Sequence, residues 1–185
     1  MTQAEAKADA RKAAFARRKQ AFDTAPPDTA AHLCRVLAAH RGLPLSGFLP
    51  IRTEIDPTPA MAQAVTLGPV GVPVVDGPGL PLRFALWTPG CTLVRGPFGA
   101  MIPADPQWMT PRVVIVPLVA FTRAGGRLGY GGGFYDRTLQ GLRARHPATL
   151  AIGYAFAAQE APDLPLEPTD QPLDLIVTEN GVLTH

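Results

Sequence analysis

The segment GGRLGYGGGFYDR, positions 125–137, holds six glycines, two arginines and one aspartate. Glycine loses more backbone freedom on folding than any other residue, so a cluster this dense suggests a use that side chains would obstruct. VVIVPLVAF before it reads as a buried strand, and FYDRTLQGLRARH after it sets Tyr135, Leu139 and Leu142 on one helical stripe. A loop from a strand's C-terminal end to a helix N-terminus offers free N–H groups of partial positive charge, and glycines let an anion approach them. Arg127 adds a bidentate donor for phosphate oxygens. Asp136 adds a hard oxygen ligand suited to a magnesium ion accompanying a polyphosphate. The same composition suits a surface turn without a ligand, and neither the P-loop nor the GxGxxG pattern is present.

Two further cations have a suggestive spacing. Lys7 and Arg11 lie four apart in 4–22, a segment rich in Ala, Lys, Arg, Glu and Gln that predicts a helix. They would share a face and repel each other unless an anion sat between them. The alternative is a solvated basic face, together with Lys12, Arg17, Arg18 and Lys19. Cys34 and Cys91 show no metal-ligand spacing and read as reduced packing residues; His32, His40, His146 and His185 read as surface or structural.

The elements that must position these groups alternate in type. A second helix is expected from a cap at Asp28 or Thr29 to about Arg41, with further helices at 59–67 and 134–145. GFLPI, VGVPVV, LRFALW, RVVIVPLVAF, TLAIGYAF and LDLIVT read as strands. The pattern predicts an α/β fold, a single domain over 1–185 with a mostly parallel central sheet flanked by helices. The 185 residues are 46% hydrophobic and 17% charged, which excludes a disordered chain, and no apolar run approaches the ~20 residues of a membrane span. The N-terminal stretch has no uninterrupted apolar core, so a cytoplasmic protein without a membrane partner is expected. A net charge of +2 is too small to point to nucleic acid.

GGRLGYGGGFYDRTL, preceded by VPLVAF, closely resembles the signature loop of the 5-formyltetrahydrofolate cyclo-ligases, or 5,10-methenyltetrahydrofolate synthetases. The resemblance implies the architecture shared by phosphosugar isomerases and CoA transferases. It implies that Arg127, Leu128, Gly129, Tyr130, Gly131, Gly132, Gly133, Phe134 and Tyr135 bind ATP, together with Lys7 and Arg11 from the basic N-terminal helix. Arg127 and Tyr135 become the catalytic candidates. GFLPIRTEIDP is similar to the family's folate-contacting segment, which implies Leu49 and Glu54 as substrate ligands; a surface acid in a turn is the other reading of Glu54. Trp87 in RFALWTPG resembles a family tryptophan that could stack on the folate ring, or it packs in the core. EPTDQPLD resembles the segment with a second magnesium ligand, aligned on Asp170 ahead of Asp174, so Asp136 and Asp170 form the implied Mg2+ site. Two departures stand out: Phe134 where the family often has tyrosine, and Thr122 where many members have aspartate.

The implied activity is ATP-dependent cyclisation of 5-formyltetrahydrofolate to 5,10-methenyltetrahydrofolate, with release of ADP and phosphate, by a monomer. A phosphosugar isomerase or CoA-transferase-like enzyme would share the architecture without releasing ADP. A non-catalytic folate- or RNA-binding protein would bind without ADP, though the chain has no platform of interleaved aromatic and basic residues for RNA.

Overall fold

The computed structural model describes residues 2–184. Helix α1, Gln3–Asp23, starts at a capping box: Thr2 Oγ1 accepts from the Glu5 N–H, and the Glu5 carboxylate accepts from the Thr2 N–H. Helix α2, Ala31–Ala38, leads into strand β1, Leu45–Ser46, and helix α3, Thr58–Ala64, connects β1 to β2, Val70–Val74. Then come β3 (Arg83–Leu86), the hairpin of β4 (Leu93–Arg95) and β5 (Met101–Pro103), β6 (Trp108–Met109) and β7 (Val113–Pro117). A second hairpin joins β8 (Ala120–Phe121) to β9 (Arg127–Leu128), and α4, Phe134–Arg145, follows it. Strands β10 (Leu150–Tyr154), β11 (Leu175–Thr178) and β12 (Gly181–Thr184) complete the chain.

Eight strands form one sheet in the order β12-β11-β10-β7-β1-β2-β3-β6. Its five inner strands, β11 to β2, pair in parallel; β12 adds antiparallel at one edge, and β3 and then β6 add by antiparallel pairing at the other. The centre is buried on both faces, because the sheet alternates its side chains between two cores. From β7, Val113 and Ile115 pack toward Leu33 and Leu37 of α2 and Met61 of α3. Val114 and Val116 pack toward Leu139 and Leu142 of α4. A third cluster seats Ala14 of α1 on Val119, Ala120 and Leu128, which fixes α1 against the second hairpin.

The expected α/β class and mostly parallel sheet are observed, with corrections of detail. The first strand is Leu45–Ser46, and the GFLPI stretch is the loop after it. RVVIVPLVAF divides into β7 and β8. The second helix begins at Ala31 without a side-chain cap, and the third ends at Ala64. The glycine segment does not run straight from a strand into a helix, because its own Arg127 and Leu128 first form β9.

Candidate active site

The parallel strands β1, β2 and β7 end on one cavity of about 780 Å³. Leu49 just after β1, Val75 just after β2 and Pro117 at the end of β7 line it, as do Lys7 and Arg11 of α1 and the segment 127–137. Open α/β sheets bind ligands at this carboxyl edge.

The glycine loop is held in shape locally. Thr122 Oγ1 accepts from the Gly126 N–H at 3.0 Å and closes the β8–β9 turn, which gives the departure at Thr122 a structural role. Gly131 at φ 100° and Gly133 at φ 63° are in the left-handed region where a Cβ is strained. Gly133 is the N-cap of α4 and no side chain caps the helix, so its first N–H groups are left for a ligand. Arg11 Nε donates to the Gly129 carbonyl at 2.9 Å, tying α1 to the loop. Phe134 stands at the first helical position on the cavity wall, edge-on to Phe98 at 6.2 Å.

Arg127 is buried, its side chain 4% exposed, and pairs with Asp136 at 2.5 Å. Its Nε atom is buried without a hydrogen-bond partner. The Tyr135 hydroxyl is equally orphaned, and burial raises its pKa, with Glu54 adding to the rise and Arg127 opposing it. Both atoms are shielded from the cavity as well as unpartnered, so a ligand reaches them only through a local side-chain shift.

The cavity also carries an acid, held against the glycine loop. Glu54 is buried in the turn after β1; its Oε2 accepts from the Ile51 N–H at 2.8 Å, and its Oε1 accepts from the Tyr130 hydroxyl at 2.7 Å. Tyr130 in turn receives a hydrogen bond from Arg18 at 2.6 Å. Burial pushes the Glu54 carboxyl above its ordinary value, opposed by the bonds from Tyr130 and Ile51 and by the charge of Arg18. Asp56 accepts from the Thr58 N–H at the start of α3 and has a structural role.

Lys7 approaches Glu167 at 3.1 Å and Asp170 at 3.9 Å. Asp170 and Asp136 both line the cavity, whereas Asp174 is held by Arg143 and the Ala151 N–H, away from it. Among the described residues no group of three or more His, Cys, Asp or Glu side chains gathers as a protein cage for a metal. Two cavity carboxylates nevertheless fit magnesium, which takes one or two carboxylates and completes its shell with phosphate and water oxygens. Asp136 Oδ1 accepts from Arg127 and the Gln171 N–H; among the described residues its Oδ2 accepts from none.

Two readings need correction and one residue is added. Trp87 is 7% exposed in the core beside Leu45 and Val70, and is not on the cavity wall. Arg18, grouped above with a solvated basic face, is 1% exposed and bonded to Thr53 and Tyr130. Arg137 was not singled out, yet it lines the cavity, donates to the Gly132 carbonyl and has a buried Nε without a partner. Its position one residue after Asp136, within the first turn of α4, was the available signal.

The profile of the 5-formyltetrahydrofolate cyclo-ligase family matches residues 79–179. A 5-formyltetrahydrofolate cyclo-ligase of Mycolicibacterium smegmatis is 32% identical over 155 residues, covering 74% of this chain and 76% of its own. The chain belongs to this family. The cyclo-ligase of Escherichia coli is 51% identical over 70 residues, 38% of this chain and 37% of that protein, so the match spans little more than a third of that relative. An NMR structure of the Aquifex aeolicus 5,10-methenyltetrahydrofolate synthetase superposes with a TM-score of 0.75 at 27% identity, covering 96% of this chain and 92% of the other. The fold described here is therefore shared with that synthetase over nearly its whole length.

Proposed function

We propose that the protein is an ATP-dependent 5-formyltetrahydrofolate cyclo-ligase that produces 5,10-methenyltetrahydrofolate, ADP and phosphate. Family membership supports the reaction class, and one observation carries the reading to the site. Arg127, the uncapped α4 N-terminus, Lys7 and Arg11 share a single cavity with the buried acid Glu54. The cations and free N–H groups suit a triphosphate, and Glu54 suits a ring that presents N–H donors.

The formamide oxygen is a poor leaving group. Its attack on the ATP γ-phosphorus breaks the bond to ADP and gives an iminophosphate. Attack of the neighbouring folate nitrogen on the formyl carbon, with loss of that nitrogen's proton, then expels phosphate. Such steps need charge neutralisation and in-line placement more than a protein nucleophile. Arg127 faces the transferring group with a guanidinium already aligned by Asp136. Tyr135 supplies an unclaimed hydroxyl, and Lys7 and Arg11 flank the polyphosphate from α1. Glu54 and Leu49 hold the folate ring. Magnesium would be held by Asp136 and Asp170, and would supply charge neutralisation on the phosphates.

The protein is read as a monomer, and two free cysteines suit a reducing cytoplasm. No helix among the described residues is long and apolar enough to cross a membrane. The test is purified protein with 5-formyltetrahydrofolate and magnesium, with and without ATP. The methenyl product forms with stoichiometric ADP only when ATP is present. Turnover without ADP points to an isomerase or transferase, and binding without turnover to a carrier.

A further inference from the structure

Among the basic residues of α1, Arg18 alone is buried, and cavity ligation does not explain it, because it does not line the cavity. Its Nε donates to Thr53 Oγ1 at 3.0 Å, beside Glu54 in sequence, and its Nη1 donates to the Tyr130 hydroxyl at 2.6 Å. Tyr130 passes its own proton toward Glu54 Oε1 at 2.7 Å. The guanidinium also lies over the Phe15 ring at 5.1 Å and the Tyr130 ring at 5.6 Å, so both its plane and its edge are fixed. Positions 7, 11 and 18 share one stripe of α1, so one rigid helix lines the cavity with Lys7 and Arg11 and reaches Glu54 through Arg18 and Tyr130.

We propose that Arg18 is a positioning residue for the folate: acting through Tyr130, it fixes the Glu54 carboxylate as a hydrogen-bond acceptor at the cavity wall. This deepens the cyclo-ligase reading and rests on it. A buried carboxylate without a nearby cation would drift toward its neutral form and lose an acceptor. Glu54 faces Arg18 from α1, Tyr130 from the glycine loop and Tyr135 from α4, and of these only Arg18 is cationic. Because Tyr130 also belongs to the loop assigned to ATP, the hydroxyl relay physically joins the two substrate sites.

The test uses the full chain with Arg18→Met, Arg18→Lys, Tyr130→Phe and the Arg18→Met/Tyr130→Phe double variant. Folding is checked by circular dichroism, and KM for 5-formyltetrahydrofolate and for ATP is measured across pH. Arg18→Met and Tyr130→Phe each raise the folate KM about tenfold with less effect on the ATP KM, and the double variant is no worse than either. In Arg18→Met the acidic limb of folate KM against pH moves to higher pH, since Glu54 has lost its cation. Arg18→Lys keeps the charge and returns the limb toward the wild-type position. A folded Arg18→Met with unchanged folate KM and an unmoved limb overturns the proposal. If Arg18→Met does not fold, an unchanged folate KM in Tyr130→Phe overturns it instead. Wild-type protein that fails to bind 5-formyltetrahydrofolate removes the functional reading as well, an outcome distinct from normal binding by indifferent variants.

Discussion

Arg127 in β9 and Asp136 in the first turn of α4 are joined at 2.5 Å across the glycine loop, the arginine buried and the aspartate partly open to the cavity. The pair clamps the two ends of the loop, so the cation proposed for phosphate and the acid proposed for magnesium share one geometry. Removing either affects the other, because an unpaired buried charge is costly.

Arg127→Ala lowers turnover by about tenfold or more, since a charged hydrogen bond to phosphate contributes roughly 1.5–3 kcal/mol. Steady-state rates at varied ATP check this, and ATP kinetics equal to wild type would remove Arg127 from the phosphate site.

Asp136→Asn keeps the side chain's size but loses a hard anionic ligand and the partner of Arg127. The magnesium concentration needed for half-maximal rate rises about tenfold or more. A titration superimposable on that of the wild type contradicts the metal role.

Gly131→Ala introduces a Cβ at φ 100°, 3.1 Å from Arg11 Nη2. The left-handed strain costs about 1–2 kcal/mol, and the Arg11 guanidinium must yield slightly to the new Cβ. The expected readout is a lower melting temperature with a raised ATP KM; a variant indifferent in both would mean that the loop tolerates side chains there.

Glu54 carries a pH prediction. Its folded pKa is raised by burial above the unfolded value of about 4.3, so the stability it contributes is present below that value and lost as pH rises through the folded one. Glu54→Gln therefore gains melting temperature relative to wild type as pH is raised from acid to neutral. The same variant raises the folate KM more than the ATP KM. A pH-independent difference in melting temperature, or the reverse order of KM effects, refutes the assignment.

Trp87 sits in the core, so Trp87→Phe lowers stability by on the order of 1–2 kcal/mol and leaves the folate KM unchanged. A raised folate KM without loss of stability would return the indole to the substrate.

The glycine loop was legible because glycine, arginine and aspartate in fixed order carry local chemistry, and β7 because a continuous β-branched run has few other fates. Helical spacing puts Lys7 and Arg11 on one face but suits a solvated face equally, and it is the family resemblance that points them to the cavity they line. Arg18 was not, although it lies eleven residues after Lys7 on the same stripe, because its burial depends on Tyr130 and Thr53, which no local pattern reveals. Trp87 was ambiguous for the same reason: an indole suits a core and a ring site equally, and only tertiary packing decides. The short strands β4, β5, β6 and β9 escaped notice because two or three residues carry no readable periodicity.

Arg11 meets Gly129 across 118 positions of chain, and Arg18 meets Tyr130 across 112. During synthesis the first helix leaves the ribosome long before the loop that completes its half of the cavity. A growing chain cannot close this part of the cavity until the glycine loop has emerged, and spanning that distance makes docking of the first helix a late event in folding.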